Sequence, residues 1–259
     1  MKNKVISLYD YTGVAVTPWA EAGYECFCFD IQHDKPPRTK RVDFDGGGSI
    51  SFVYADLHSP YNLIQLCKPF FGKVAFAMAF PVCTDLAVSG AAHFERKREV
   101  NPRFQEEAAS HARWCGNVFG VMDCPWYVEN PISVLATLWR KPNYRFHPYE
   151  FGGYIAEEEA EHPLYPEYIA PRDAYTKRTC LWTNDKFIMP ELKPVDCETF
   201  GNSRQHRKLG GKSAKTKNIR SATPRGFAQA VFESNSKQRV ELDFTSLELV
   251  LEETGGNKA

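Results

Sequence analysis

The chain has 259 residues, and its 32 lysines and arginines balance 32 aspartates and glutamates. Net charge therefore neither favours nor excludes a polyanionic partner, and only its distribution along the chain can inform. Five Trp and eighteen Phe exclude general disorder, and the length suits one α/β domain with a modest appendage.

In chain order, Val5 to Tyr9 reads as a first strand, and a helix starts near Pro18, a residue suited to a first helical turn. Tyr24 to Phe29 is a second strand, followed by Asp30. Gln32 to Gly48, with two prolines, many charges and three consecutive glycines, reads as an exposed loop. Ser51 to Tyr54 is a third strand, followed by Asp56, and Tyr61 to Cys67 is helical. Lys73 to Phe80 (KVAFAMAF) is almost continuously apolar, as a central parallel strand covered on both faces must be. Phe104 to Val121 is the clearest long helix. Pro125 to Val128 is a fifth strand, followed by Glu129.

The character changes near Glu150. Residues 1–150 read as the α/β core and 151–219 as a small irregular extension, acidic at Glu157 to Glu161 and interrupted by Pro163, Pro166 and Pro171. Gly201 to Arg225 is strongly basic, with Arg204, Arg207, Lys208, Lys212, Lys215, Lys217, Arg220 and Arg225 and no acidic residue, and reads as a flexible loop. Residues 220–240 hold a helix returning to the core, and 241–259 form a polar, frayed tail. Strands alternating with helices make the fold class α/β.

The eight cysteines include no C-x-x-C pair, so a zinc ribbon is excluded and no metal site is expected. The amino-terminal residues enter a strand pattern directly, without a secretory segment, and no apolar run matches a membrane span. The expectation is a cytoplasmic protein in a reducing compartment, with no membrane partner.

Acidic residues at successive strand ends carry the chemistry. In an open α/β sheet, ligands bind beyond the carboxyl ends of the strands. Asp10, Thr12 and Gly13 follow the first strand. Asp30 comes 17 residues after Gly13, a spacing that suits a carboxylate on ribose hydroxyls, and Asp56 could reach an adenine. Each could instead cap the next turn. The phosphate fingerprint G-x-G-x-x-G is missing, since VAVTP follows Gly13, so S-adenosylmethionine fits better than a dinucleotide. After the fourth strand comes Pro81-Val82-Cys83, a thiol leaving a buried strand for the crevice. After the fifth comes Glu129-Asn130, a carboxylate that is costly to desolvate without a task or a partner.

In this order, the glycine loop, Asp30, Asp56, Pro81-Val82-Cys83, Glu129-Asn130 and Lys177-Arg178 resemble the DNA cytosine-5 methyltransferase family, particularly its compact phage and prophage members. The resemblance spans about residues 4 to 235, and the Pro-x-Cys and Glu-Asn motifs are its specific part. It implies a Rossmann-like class I S-adenosylmethionine-dependent fold with a mostly parallel, seven-stranded sheet. It also implies the cofactor S-adenosylmethionine, held by Asp10, Tyr11, Thr12, Gly13, Asp30, Ile31, Asp56, Leu57 and Pro81. Catalysis would fall to Cys83 as nucleophile at cytosine C6, Glu129 as acid at N3, and Arg178, rather than Lys177, at the base O2. DNA would lie along Arg204, Arg207, Lys208, Lys212, Lys215 and Lys217, with the target base flipped out of the helix.

One departure is visible. Fewer than forty residues separate Trp182 from Arg220, where the family carries a long target-recognition region. This implies a short or degenerate target sequence, or specificity supplied by a partner or a second subunit. Protection of phage DNA in a restriction-modification setting is one role, and a step before further base modification another. In a different class altogether, the sequence is compatible with a non-catalytic, regulatory nucleic-acid-binding protein on a methyltransferase fold.

Overall fold

The computed structural model describes residues 2–197, 203–210 and 213–236. Eight strands form one mixed sheet: β1 (Lys4–Leu8), β2 (Glu25–Asp30), β3 (Lys40–Asp43), β4 (Ser49–Tyr54), β5 (Val74–Ala79), β6 (Trp126–Pro131), β7 (Tyr144–Phe146) and β8 (Thr179–Thr183). Their spatial order is β3-β4-β2-β1-β5-β6-β8-β7. The five strands from β4 to β6 are mutually parallel, whereas β3 runs against β4, and β8 runs against both β6 and β7.

The central strands are apolar on both faces because both are covered. Residues of β1 alternate between two cores, Ile6 and Leu8 on one side and Val5 on the other, as the two-residue period of a strand requires. The first core is closed by α2 (Pro60–Cys67) and α4 (Phe104–Val121), which contribute Leu63, Cys67, Ala109, Ala112, Cys115 and Phe119. These α4 positions recur at three- and four-residue intervals, the stripe of a half-buried helix. The second core is closed by α1 (Thr17–Glu21) and α8 (Arg225–Ser236), through Trp19, Phe227 and Val231 packed on Phe76 and Tyr127. The shorter helices are α3 (Phe94–Val100), α5 (Leu135–Leu138), α6 (Arg204–Lys208) and α7 (Ala214–Ser221). No described helix is long and apolar enough to cross a membrane.

Three expectations are corrected. The sheet has eight strands, not seven, because part of Gln32 to Gly48 is not a loop: β3 pairs Arg41 with Ser51 and Val42 with Ile50. Its exposed Lys40, Arg41 and Asp43 are the charges that blunt a sheet edge, and they hide the strand pattern. The basic stretch is also no loop throughout, since it holds α6 and α7. Ser213 caps α7 by accepting from the Thr216 amide at 3.1 Å. The buried face of α7 includes Thr216 and Asn218, whose polar groups bond to Gly210 O and the Gln32 side chain, so the helix has little apolar period to detect. Finally, β6 runs on to Pro131, so Glu129 lies inside it opposite Leu181, although β6 leaves β5 at Val128.

The described residues of 151–219 are largely irregular up to α6, with 3-10 helices at Pro148–Tyr154, Glu157–Glu159 and Pro171–Asp173, yet they supply β8 to the sheet. Within residues 220–240 stand the last two residues of α7 and the whole of α8, and Lys212, residues 237–240 and the tail 241–259 fall outside the described residues. The chain builds from β1 outward to β2 and β4, then returns to β5 on the other side of β1. The switch point lies between β1 and β5, where a crevice opens for ligands.

Candidate active site

Beyond β1 the backbone turns sharply. Tyr9 adopts a left-handed φ of 58°, unusual for a bulky side chain. Asp10 organises the turn: Oδ2 accepts from Ser7 Oγ at 2.7 Å, while Oδ1 accepts from the amides of Gly13 at 2.8 Å and Thr12 at 3.1 Å. The carboxylate is buried and engaged on both oxygens, so it holds the loop together. Gly13 is dictated by its φ of 71° and by the Phe52 ring, 3.0 Å from where a Cβ would stand. Tyr11 is exposed and stacks on His33 with ring centroids 5.6 Å apart. Tyr11 and Thr12 line a small recess that shares Tyr9, Asp30 and Phe80 with the main cavity.

That main cavity, of about 370 Å³, lies over the switch point and is within the roughly 300–1,000 Å³ typical of ligand sites. The strand ends supply Tyr9, Asp30, Ile31, Leu57, His58, Phe80, Pro81, Cys83, Glu129 and Asn130, and α7 covers it with Lys217, Asn218, Arg220 and Ser221. The cover is fastened by Asn218 Nδ2 donating to Gln32 Oε1 at 3.1 Å. Asp30 is buried, accepts from the Gln32 amide at 2.8 Å, and has its carboxyl pushed up by that burial.

At the β5–β6 end stand the thiol and the carboxyl. Cys83 O accepts from the amides of Leu86 at 3.0 Å and Ala87 at 2.8 Å, so the cysteine opens a tight turn. The side-chain amide of Asn130, 1% exposed, donates to Pro81 O at 3.0 Å. Glu129 Oε1 is shut off from solvent and has no hydrogen-bond partner among the described residues. Burial pushes the Glu129 carboxyl up, while the Lys177 ammonium pulls it down. The Cys83 thiol is raised first by burial and then by Glu129, with Lys177 opposing. A carboxyl group, a thiol and an ammonium thus share one enclosure.

Of the expected site residues, the cavity gathers Asp30, Ile31, Leu57, Pro81, Cys83 and Glu129. It leaves out Asp56, which is exposed and bound to His58. Arg178 is exposed and lies outside it; the cation lining the cavity is its neighbour Lys177, whose Nζ donates to Arg220 O at 2.9 Å. Of the basic residues, Lys217 lines the cavity, whereas Arg204, Arg207, Lys208 and Lys215 do not. Lys208 Nζ donates to Glu167 O at 2.9 Å, and Lys215 sits over the Tyr168 ring. Sequence reasoning missed Tyr9, Phe80, His58 and Asn218. Tyr9 and Phe80 adjoin recognised motifs, but nothing in the sequence brings Asn218 back over the sheet. No protein-family model matches the chain, and no curated protein matches it either.

Proposed function

We propose that the protein methylates cytosine C5 in DNA with S-adenosylmethionine, on a Rossmann-like class I methyltransferase fold. The observation that carries this reading is the convergence of Cys83, Glu129 and Lys177 in one enclosure at the switch point, with Glu129 Oε1 buried and unpartnered. Burial pushes the Glu129 carboxyl up, the direction in which an acid at cytosine N3 must be biased.

The cavity also fits the cofactor. Asp30 offers a carboxylate for ribose hydroxyls, Ile31 and Leu57 give apolar walls, and the Asp10 turn holds no cradle for a pyrophosphate. When bound, S-adenosylmethionine supplies an electrophilic methyl group. The chain's own residues prepare the base to receive it. The Cys83 thiol loses its proton to solvent and its sulfur bonds to C6 as the C5–C6 π bond breaks, while Glu129 shares its proton with N3, so electron density collects at C5. Lys177 favours the thiolate by charge. After C5 has gained the methyl group, water takes its proton, that electron pair re-forms the C5–C6 double bond, the sulfur–C6 pair returns to Cys83 as thiolate, and the N3 proton returns to Glu129.

A cavity of about 370 Å³ is far too small for a duplex. The cytosine must therefore leave the helix or come from a single strand. The exposed cations of α6 and α7 suit backbone phosphates. The test is mass spectrometry of nucleosides from unmethylated DNA incubated with the protein and S-adenosylmethionine, with Cys83→Ala in parallel. Formation of 5-methyldeoxycytidine by the wild type only is the expected result. DNA binding without any methylated base, on duplex and single strands alike, would transfer the reading to a regulatory binding protein.

A further inference from the structure

Beyond β4 the chain turns back, with the Ala55 amide donating to Asp30 O at 3.1 Å. Asp56, the carboxylate expected at an adenine, does not line the cavity. Its Oδ1 accepts from the His58 amide at 3.0 Å and lies 2.9 Å from His58 Nδ1. His58 lines the cavity in its place. A carboxylate can only accept, so the Asp56 contact fixes a proton on Nδ1. Nε2 is left with no hydrogen-bond partner among the described residues.

The ring is backed by further groups. His111 of α4 meets it edge-on with centroids 5.1 Å apart, and His111 Nδ1 lies 3.2 Å from Tyr9 Oη. Tyr9 gives its one proton to Leu57 O at 2.8 Å, so His111 must donate to Tyr9. Burial, and then His58, lower the His111 pKa, which keeps that ring neutral. Asp56 thus sets the proton on His58 Nδ1, while His111 of α4, bonded to Tyr9, packs against the ring.

We infer that His58, and not Asp56, reads the adenine amino group of the cofactor by accepting its hydrogen bond at Nε2. The inference rests on the S-adenosylmethionine reading and on the layout of the cavity. The reactive end must lie beside Cys83, beyond β5. The end of β4 is three strand spacings away, roughly 14 Å across the sheet, with Asp30 of β2 between them. A nucleoside methyl donor laid along that line brings its base to Leu57, Ile31 and His58. The first two are apolar; of the side-chain acceptors there, Gln32 Oε1 is taken by Asn218 and Tyr9 Oη by His111, which leaves His58 Nε2 as the one without a partner among the described residues.

The test is calorimetry with S-adenosylhomocysteine and S-inosylhomocysteine, whose carbonyl replaces the amino group. The wild type is expected to bind the adenosyl ligand about tenfold more tightly than the inosyl one, the worth of about one hydrogen bond. His58→Phe should weaken the adenosyl ligand and lose the preference. His58→Gln, which keeps an acceptor and a similar length, should retain part of it even if the Phe variant folds poorly. A His58→Phe protein that melts normally and still prefers the adenosyl ligand overturns the assignment. A wild type that binds neither ligand defeats the cofactor reading itself, and the assignment with it.

Discussion

Asn130 and Pro81 are joined by one buried hydrogen bond of 3.0 Å, from a side-chain amide to a backbone carbonyl. Through it the strand carrying Glu129 is fastened to the loop carrying Cys83, two residues beyond Pro81. Asn130→Ala should therefore separate positioning from chemistry. We expect a loss of about 1–2 kcal/mol in stability by urea denaturation, the usual cost of such a bond. The methylation rate should fall on the order of a hundredfold, because small misplacements of reacting groups are that costly. An unchanged rate would mean that the two motifs need no mutual tether.

Glu129→Gln should behave differently. Its carboxyl is raised by burial, so the group contributes stability that is present at low pH and is lost as pH rises through its folded value. At pH 8 the glutamine variant should melt no lower than the wild type, while its methylation rate falls by roughly 10²–10⁴, the range of a lost acid catalyst. Simple unfolding of the variant would contradict both expectations.

The thiol gives a measurement independent of any substrate. Burial and Glu129 raise it while Lys177 lowers it, so the pH profile of Cys83 alkylation by iodoacetamide should shift in opposite directions in two variants. Lys177→Met should move the profile to higher pH and Glu129→Gln to lower pH. Arg178→Ala, altering an exposed side chain off the cavity, should leave it in place.

Asp173 provides a stability test remote from catalysis. It is 1% exposed and accepts from the Gly226 amide at 2.9 Å in the first turn of α8, and burial pushes its pKa up to about 6. A folded value above the unfolded one, near 3.9, means its stabilising contribution is complete below pH ~4 and lost by the time pH passes about 6. Relative to Asp173→Asn, the wild type should lose on the order of 3 kcal/mol over that interval. Parallel denaturation curves for the two proteins across it would refute the shift.

Where the sequence sufficed, one periodicity governed the element. The helix from Phe104 to Val121 matches its expected bounds, and the unbroken apolar run of β5 marks a strand buried on both faces. Cys83 and Glu129 were legible because polar groups at the ends of such strands have few other reasons to be there. What escaped depends on directions that one-dimensional spacing does not encode. Lys177 and Arg178 are adjacent, and only the alternation of side chains leading into β8 decides which faces the cavity. Asp56 and His58 stand two apart, and the hydrogen bond between them accompanies His58 lining the cavity and Asp56 lying outside it. α7 stayed hidden because its buried positions include Thr216 and Asn218, residues that score as surface.

The two ends of the sheet bear on assembly. At one end β3 exposes Lys40, Arg41 and Asp43, and at the other β7 is only three residues long. Neither is a good template for another chain's backbone, since charged or very short edges resist strand addition. Lateral growth of the sheet is discouraged at both ends, so any second copy or specificity partner is left to dock on the helical faces or the loops, by side chains instead of a shared ladder.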